Sequence, residues 1–315
     1  MPEHDDAPPA VPRFPPQAVP PEARRPILAW YAERGRPLAF RRTRDPYAVL
    51  VSEAMAQQTQ AARAAEAWER FLARFPTVQA LADAPPADVL RQWAGLGYDR
   101  RALALWQTAR IIVEEHGGQV PSDLAALQAL PGVGPYTARA VAALAFGQPV
   151  GAVDVNVRRV LGRIVAGDAT ALGPQAMQAV ADASVPPDDP GGWTHALMDI
   201  GATVCKPRNP RCGACPAQAW CQYVASPPAH DEAAATATAT RRAAREAPTP
   251  FHSTNRWLRG RIMTRLRAEP GTGWATLDAR IGSHEASAIT TALAGLASDG
   301  LIELDADGRA RLRTR

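Results

Sequence analysis

All four cysteines of the 315-residue chain lie in one stretch, CKPRNPRCGACPAQAWC, spaced Cys205-x6-Cys212-x2-Cys215-x5-Cys221. Whatever gathers four thiols in so short a segment makes a rigid knot, and the rest of the chain must fold around it. Thiols this close, with no secretory signal upstream, argue for a metal or cluster rather than disulfides. Many zinc sites use two Cys-x2-Cys pairs, and here there is one. Iron–sulfur clusters take four thiolates at uneven spacing. Spacing alone leaves both open. Lys206, Arg208 and Arg211 lie between the first two cysteines, which suits either a solvated loop or a phosphate-binding projection.

The length allows two or three domains with a sizeable core. With 46% hydrophobic and 21% charged residues the chain has the composition of a soluble globular protein. No run approaches the roughly 18 apolar residues of a membrane span, so no membrane contact is expected. The N-terminus, MPEHDDAPPAVPRFPPQAVP, lacks the basic-then-apolar order of a secretory signal and is expected to be a disordered, proline-rich tail over 1–20. A cytoplasmic protein follows. The net charge of +4 permits a nucleic-acid partner without demanding one. Lys206 is the sole lysine, so any chemistry that needs a lysine amine has one candidate.

From about 21 to 204 the pattern is nearly all helical. Asp45-Pro46 is a cap followed by proline at the first helical position. Tyr47, Leu50, Val51, Ala54 and Met55 then form the stripe of a buried helix face. Further helices are predicted at about 59–73, 87–95, 100–116, 122–130, 136–147, 155–166, 174–184 and 191–203, separated by turn signals. Residues 225–250 have linker composition. Beyond them, 251–315 gives a helix, a short element, a second long helix, and a hairpin around LIELDADGRARL. That order suggests a separate small α+β module of winged-helix type.

Two further features carry chemistry. In LPGVGPYTARAV, Gly132 and Gly134 allow a tight turn, and Pro135 opens a helix whose free N–H groups favour an anion. Glu53, in VSEAMAQQTQ, lies off the apolar stripe, where a solvated helix residue would also lie. Asp154, in AVDVNVRRV, stands at a helix start, where a plain N-cap would stand. Together, SEAMAQQT, GLGY, LPGVGPYT, VDVNVRRV and the cysteine run resemble, in order and separation, the endonuclease III superfamily, and within it the MutY-type adenine DNA glycosylases. The resemblance covers about 22–222. It implies an all-α, two-lobed helix-hairpin-helix fold. One lobe, 21–40 with 150–224, would hold a [4Fe–4S] cluster on Cys205, Cys212, Cys215 and Cys221. The other, 41–149, would be a six-helix barrel.

By the same resemblance the partner is double-stranded DNA with a mispaired or damaged base, bound by a monomer associated with the nucleoid. Glu53 would protonate the adenine and later handle the water, an acid role that needs a raised pKa from a dry pocket. Asp154 would stabilise the sugar cation, and Asn156 would orient acid and base. Gln57, Gln58 and Tyr98 would enter the duplex or line the gap left by the flipped base. Gly132, Gly134 and Thr137 of the hairpin would grip DNA. Tyr136 occupies the position at which strand-cutting members carry a lysine, which implies base excision with little or no lyase activity. Some positions depart from the pattern: Ala56, LAF at 38–40, and Asp99-Arg100-Arg101 where a second aromatic commonly follows Tyr98. Residues 251–315 are too short and too helical for the Nudix-like domain that reads 8-oxoguanine in typical members. Two other functions remain open: a thymine or uracil mismatch glycosylase of the same superfamily, and a non-catalytic DNA-binding or regulatory protein.

Overall fold

Proline opens six of the described helices. It stands in the first turn of α1 (Pro21–Arg34), α2 (Pro46–Ala56), α5 (Pro86–Gln92), α8 (Pro135–Phe146), α10 (Pro174–Ser184) and α11 (Pro190–Asp199), where its missing N–H costs nothing. Side-chain oxygens cap α2 (Asp45), α4 (Val78–Ala82, Thr77), α7 (Leu124–Ala129, Asp123), α9 (Val155–Ala166, Asp154) and α11 (Asp189). The remaining long helices of this part are α3 (Ala61–Arg74) and α6 (Arg100–His116). Left-handed glycines at 117, 147 and 167 stop α6, α8 and α9.

The computed structural model describes residues 18–225, 250–270 and 273–314. The expected tail, apart from 18–20, and nearly all of the expected linker lie outside the described residues. Among those described, no helix is long and apolar enough to cross a membrane. The chain divides into two compact units that exchange at Gly35/Arg36 and at Gln148/Pro149. The first exchange precedes the expected boundary at residue 40. Residues 36–40 go with the second unit because the 3-10 turn Ala39–Arg42 packs on α3, with Phe40 edge-on to Trp68.

In the first unit, α1 packs on α11, and α9 packs on α10 and α11. Its core joins Val19, Ala23 and Ile27 to Leu161, Met177, Trp193 and Ile200. Ser184 Oγ, itself fully buried, accepts from Val19 N at 3.0 Å. Helix α11 runs directly into a π-turn, Ile200–Val204, which delivers the chain to Cys205, and the short α12 (Gln222–Ala225) follows the last cysteine.

In the second unit, α2 lies against α3 and α8, while α4 and α5 pack on α6. Phe71, Phe75 and Trp93 stack edge to face in its core. Among the described residues 36–148 carry seven α-helices rather than the six expected; the addition is α4, too short for a periodic signal and fixed by its Thr77 cap. Tyr47 to Glu53 and Met55 are all buried, so α2 has no solvated face over those residues. Tyr47 donates to Phe75 O at 2.9 Å, and Trp68 Nε1 donates to Ala48 O at 2.8 Å.

The C-terminal module groups with the second unit instead of standing apart. It comprises α13 (Asn255–Ala268), a strand pair β1 (Arg280–Ile281) and β2 (His284–Glu285), α14 (Ala286–Ser298), and an antiparallel hairpin β3 (Ile302–Leu304) and β4 (Ala310–Leu312). The middle element is therefore extended rather than the helix of a winged-helix order. PGTGWATLD offers proline, glycine and threonine in place of helix formers, and Ala275 bridges to Ala310 beside the hairpin.

Candidate active site and cysteine loop

The residues singled out from sequence fall into two groups, one on each unit. On the second unit, Glu53 sits on α2 with 7% of its surface exposed. It lies off the apolar stripe, but α2 is packed on that face as well. Where α2 ends, Gln57 Nε2 donates to Thr137 Oγ1 at 3.2 Å and so ties the helix end to α8. Gln58 and Tyr98 both adopt positive φ, 55° and 48°; a third non-glycine residue with positive φ among those described is Asn209. Such backbone is uncommon outside glycine and persists where the surroundings hold it.

What holds it is Arg101. Its Nη1 donates to the carbonyls of Ala54 (2.8 Å), Met55 (3.2 Å) and Gln57 (2.6 Å). Its Nη2 donates to Leu96 O (3.2 Å), Gly97 O (3.1 Å) and Thr59 Oγ1 (3.3 Å). The guanidinium also lies 5.3 Å from the Trp93 ring centroid and 5.7 Å from that of Tyr98. Burial lowers the guanidinium's pKa from its ordinary value, and Asp99 and Tyr98 oppose that shift. Sequence reasoning noted Arg101 only as a departure. Its partners are mostly main-chain carbonyls, which leave no mark in a sequence.

The hairpin is held by Thr108 Oγ1, which donates to Pro131 O at 2.8 Å. Gly132 has φ 75°, and a Cβ there would meet Ala104 Cβ at 3.0 Å. Gly134 is the N-cap of α8 and has no side chain to cap it, so the first-turn N–H groups receive no side-chain cap. Tyr136 is half-buried and Thr137 is buried in that turn.

On the first unit, Asp154 is the N-cap of α9. Its Oδ1 accepts from Asn156 N (2.8 Å) and Val157 N (2.7 Å), and its Oδ2 accepts from Asn156 Nδ2 (3.0 Å). Asn156 Oδ1 accepts from Arg159 Nη2 at 2.9 Å, and the same nitrogen donates to Gly201 O at 2.7 Å. Arg159 Nε donates to Cys205 O at 2.6 Å. One continuous hydrogen-bonded chain thus runs from the cysteine loop to the Asp154 carboxylate. Gly201 is required beside it: a Cβ there would lie 2.6 Å from Asn156 Cβ. One turn on, Arg163 donates to Lys206 O (2.8 Å), Pro207 O (3.1 Å) and Cys205 Sγ (3.5 Å), with its guanidinium 4.5 Å from the Tyr223 ring centroid. Neither arginine stood among the residues expected from sequence.

All four cysteines line one small cavity of about 20 Å³ together with Val204, Val224 and Arg163. Among the described residues, no group of three or more potential ligands is gathered tightly enough to hold a single ion. Burial pushes the Cys215 thiol up to about 11 and raises that of Cys221, with the neighbouring cysteines adding to both shifts. Four thiols around one apolar cavity, with two arginines at the first of them, suit a donor set whose negative charge a bound metal group offsets. Lys206, Arg208 and Arg211 are exposed.

The family described as "HhH-GPD superfamily base excision DNA repair protein" matches residues 51–185. An adenine DNA glycosylase of Mycobacterium tuberculosis is 41% identical over 290 residues, covering 90% of this chain and 91% of the relative. Among solved structures, a thermostable thymine-DNA glycosylase aligns with a TM-score of 0.60 at 31% identity, over 64% of this chain and 94% of that one. Endonuclease III in a non-covalent DNA complex aligns with a TM-score of 0.55 at 23% identity, over 63% and 92%, and shares the fold. Being 41% identical to an adenine DNA glycosylase over nine-tenths of both chains, the protein belongs to the HhH-GPD superfamily of base excision DNA repair proteins, in the adenine DNA glycosylase family.

Proposed function

We propose that this protein is a monofunctional DNA glycosylase, acting as a monomer on duplex DNA, that hydrolyses the N-glycosidic bond of adenine paired with 8-oxoguanine or guanine. The observation that carries the reading is the burial of Glu53 in a chain 41% identical to an adenine DNA glycosylase. A solvated helix residue would not be 7% exposed. A buried carboxyl on this helix is set apart from bulk water, as suits a group that hands a proton to a base enclosed beside it.

Glu53 gives its proton to the adenine, which leaves neutral as the bond to the sugar breaks. The sugar carries positive charge in that transition state, and the Asp154 carboxylate stabilises it. Water then adds to the sugar carbon and returns a proton to Glu53. Asn156 holds the Asp154 carboxylate through Nδ2, so its orientation is set by the hydrogen-bonded chain behind it. Gln57, Gln58 and Tyr98 fill or border the space the flipped base vacates, and the uncapped turn at Gly134 takes a phosphate. Cys205, Cys212, Cys215 and Cys221 would hold a [4Fe–4S] cluster, which when bound fixes the loop and supplies no atom to the reaction. Purified protein is expected to contain about four irons per chain with matching acid-labile sulfide. One zinc per chain and no iron would overturn the cluster.

A panel of duplexes with A:8-oxoG, A:G, T:G and U:G tests the substrate. Release of adenine is expected from the first two. Preferred release of thymine or uracil would instead favour the second reading, which the likeness to a thymine-DNA glycosylase keeps in play. In the same reactions, borohydride should trap almost no protein on the abasic product, because Tyr136 offers no amine. A strong covalent adduct would sink the monofunctional assignment.

A further inference from the structure

Helix α13 carries five arginines and no acidic residue. Three are spoken for by carboxylates: Arg259 by Asp299, Arg265 by Glu269 at 3.4 Å, and Arg267 by Asp99 at 2.6 Å. The Arg267–Asp99 pair is only 14% exposed on either side and joins α13 to the start of α6. Arg267 Nε also donates to Leu90 O at 2.9 Å, and Arg100 reaches Asp299 at 3.6 Å. The 99–101 departure is thus partly a seat for the C-terminal module.

Arg256 and Arg261 are different. Both are exposed, and neither has a carboxylate partner among the described residues. Arg256 lies over the Tyr98 ring, 4.6 Å from its centroid, and Arg261 over Trp257 at 5.9 Å. Trp257 is itself stacked on His284. Arg256, Trp257 and Arg261 line a groove of about 900 Å³ whose other wall is Gln57, Gln58 and Tyr98. A surface guanidinium over an aromatic ring is only weakly held, so it is free to exchange for a stronger anionic partner. Gly260 also lines the groove, with nothing within 4 Å of the place its Cβ would take. A glycine in mid-helix weakens the helix, and here it leaves the backbone open to close approach.

We propose that this groove binds the DNA backbone, with Arg256 and Arg261 each holding a phosphate beside Tyr98. The proposal rests on the DNA-glycosylase reading and assigns the C-terminal module a part in it. Arg256 moves from the tyrosine face to the phosphate as DNA enters and frees that face for a base. Met263, Leu296 and Leu301 also line the groove, but two unneutralised cations, each over an aromatic ring, and an open glycine make it complementary to a phosphodiester chain and its bases.

The test uses the full chain and an uncleaved A:8-oxoG duplex containing a non-hydrolysable adenosine analogue. Affinity is measured against salt for R256A/R261A, R256K/R261K and G260E. The alanine pair is expected to weaken binding at least tenfold and to flatten the slope of log K against log salt by about 1.8, two phosphate contacts' worth. The lysine pair should restore most of both. Glu at 260 stands one turn from Arg256 and should weaken binding while leaving the melting temperature equal or higher. Unchanged affinity and slope overturn the proposal, as does weakened binding with an unchanged slope, or tighter binding by the alanine pair. If the parent binds DNA but releases no adenine, the activity reading falls and the salt slopes still decide the groove.

Discussion

Glu53→Gln is expected to cut single-turnover adenine release by about 10²–10⁴-fold, the range a general acid contributes. Glutamine matches glutamate in shape, and α2 buries position 53 among Leu50, Val51 and Met55 on the same helix. The fold and duplex affinity should therefore survive, and the loss should appear in the chemical step. Release at the parent rate would remove Glu53 from the mechanism. No release even by the parent would favour a protein that binds DNA without acting on it, the class for which a buried carboxyl on this helix has no use.

Asp154→Asn separates two roles that one residue combines. As an N-cap, asparagine is as good as aspartate, so α9 should keep its start. The new amide would face Asn156 Nδ2 donor to donor, and the cost should stay within about 1 kcal/mol by urea unfolding. The charge, however, is gone. If the carboxylate stabilises a cationic sugar, the rate should fall by about 10²–10³-fold at saturating duplex, as for loss of one preorganised electrostatic group. A rate within threefold of the parent would leave Asp154 as a cap and nothing more.

Much of this architecture is legible in the sequence because it rests on local rules. Asp45-Pro46, VDVN and LPGVGP each announce a cap or a turn within four or five residues, and the helices begin where those signals stand. The burial of Glu53 was not legible. Periodicity shows one apolar face, and a helix enclosed on several sides by small and apolar residues still displays only that face as a stripe. Arg101, Arg159 and Arg163 were missed for a related reason: they serve carbonyls and a thiol brought near by folding. Asp99 and Arg267 are 168 positions apart, and nothing in either neighbourhood marks the other.

The first unit is assembled from two distant parts of the chain, and this has a consequence in time. Val19 and α1 find their partners on Ser184 and α11, more than 150 residues later. A ribosome adding about 5–20 residues per second takes roughly 10–30 seconds to bring those partners out. Throughout that interval α1 has no core to join, whereas residues 36–148 can begin packing among themselves. The N-terminal helix is therefore made early and placed late, and whatever protects it meanwhile shapes how much of this protein reaches its native state.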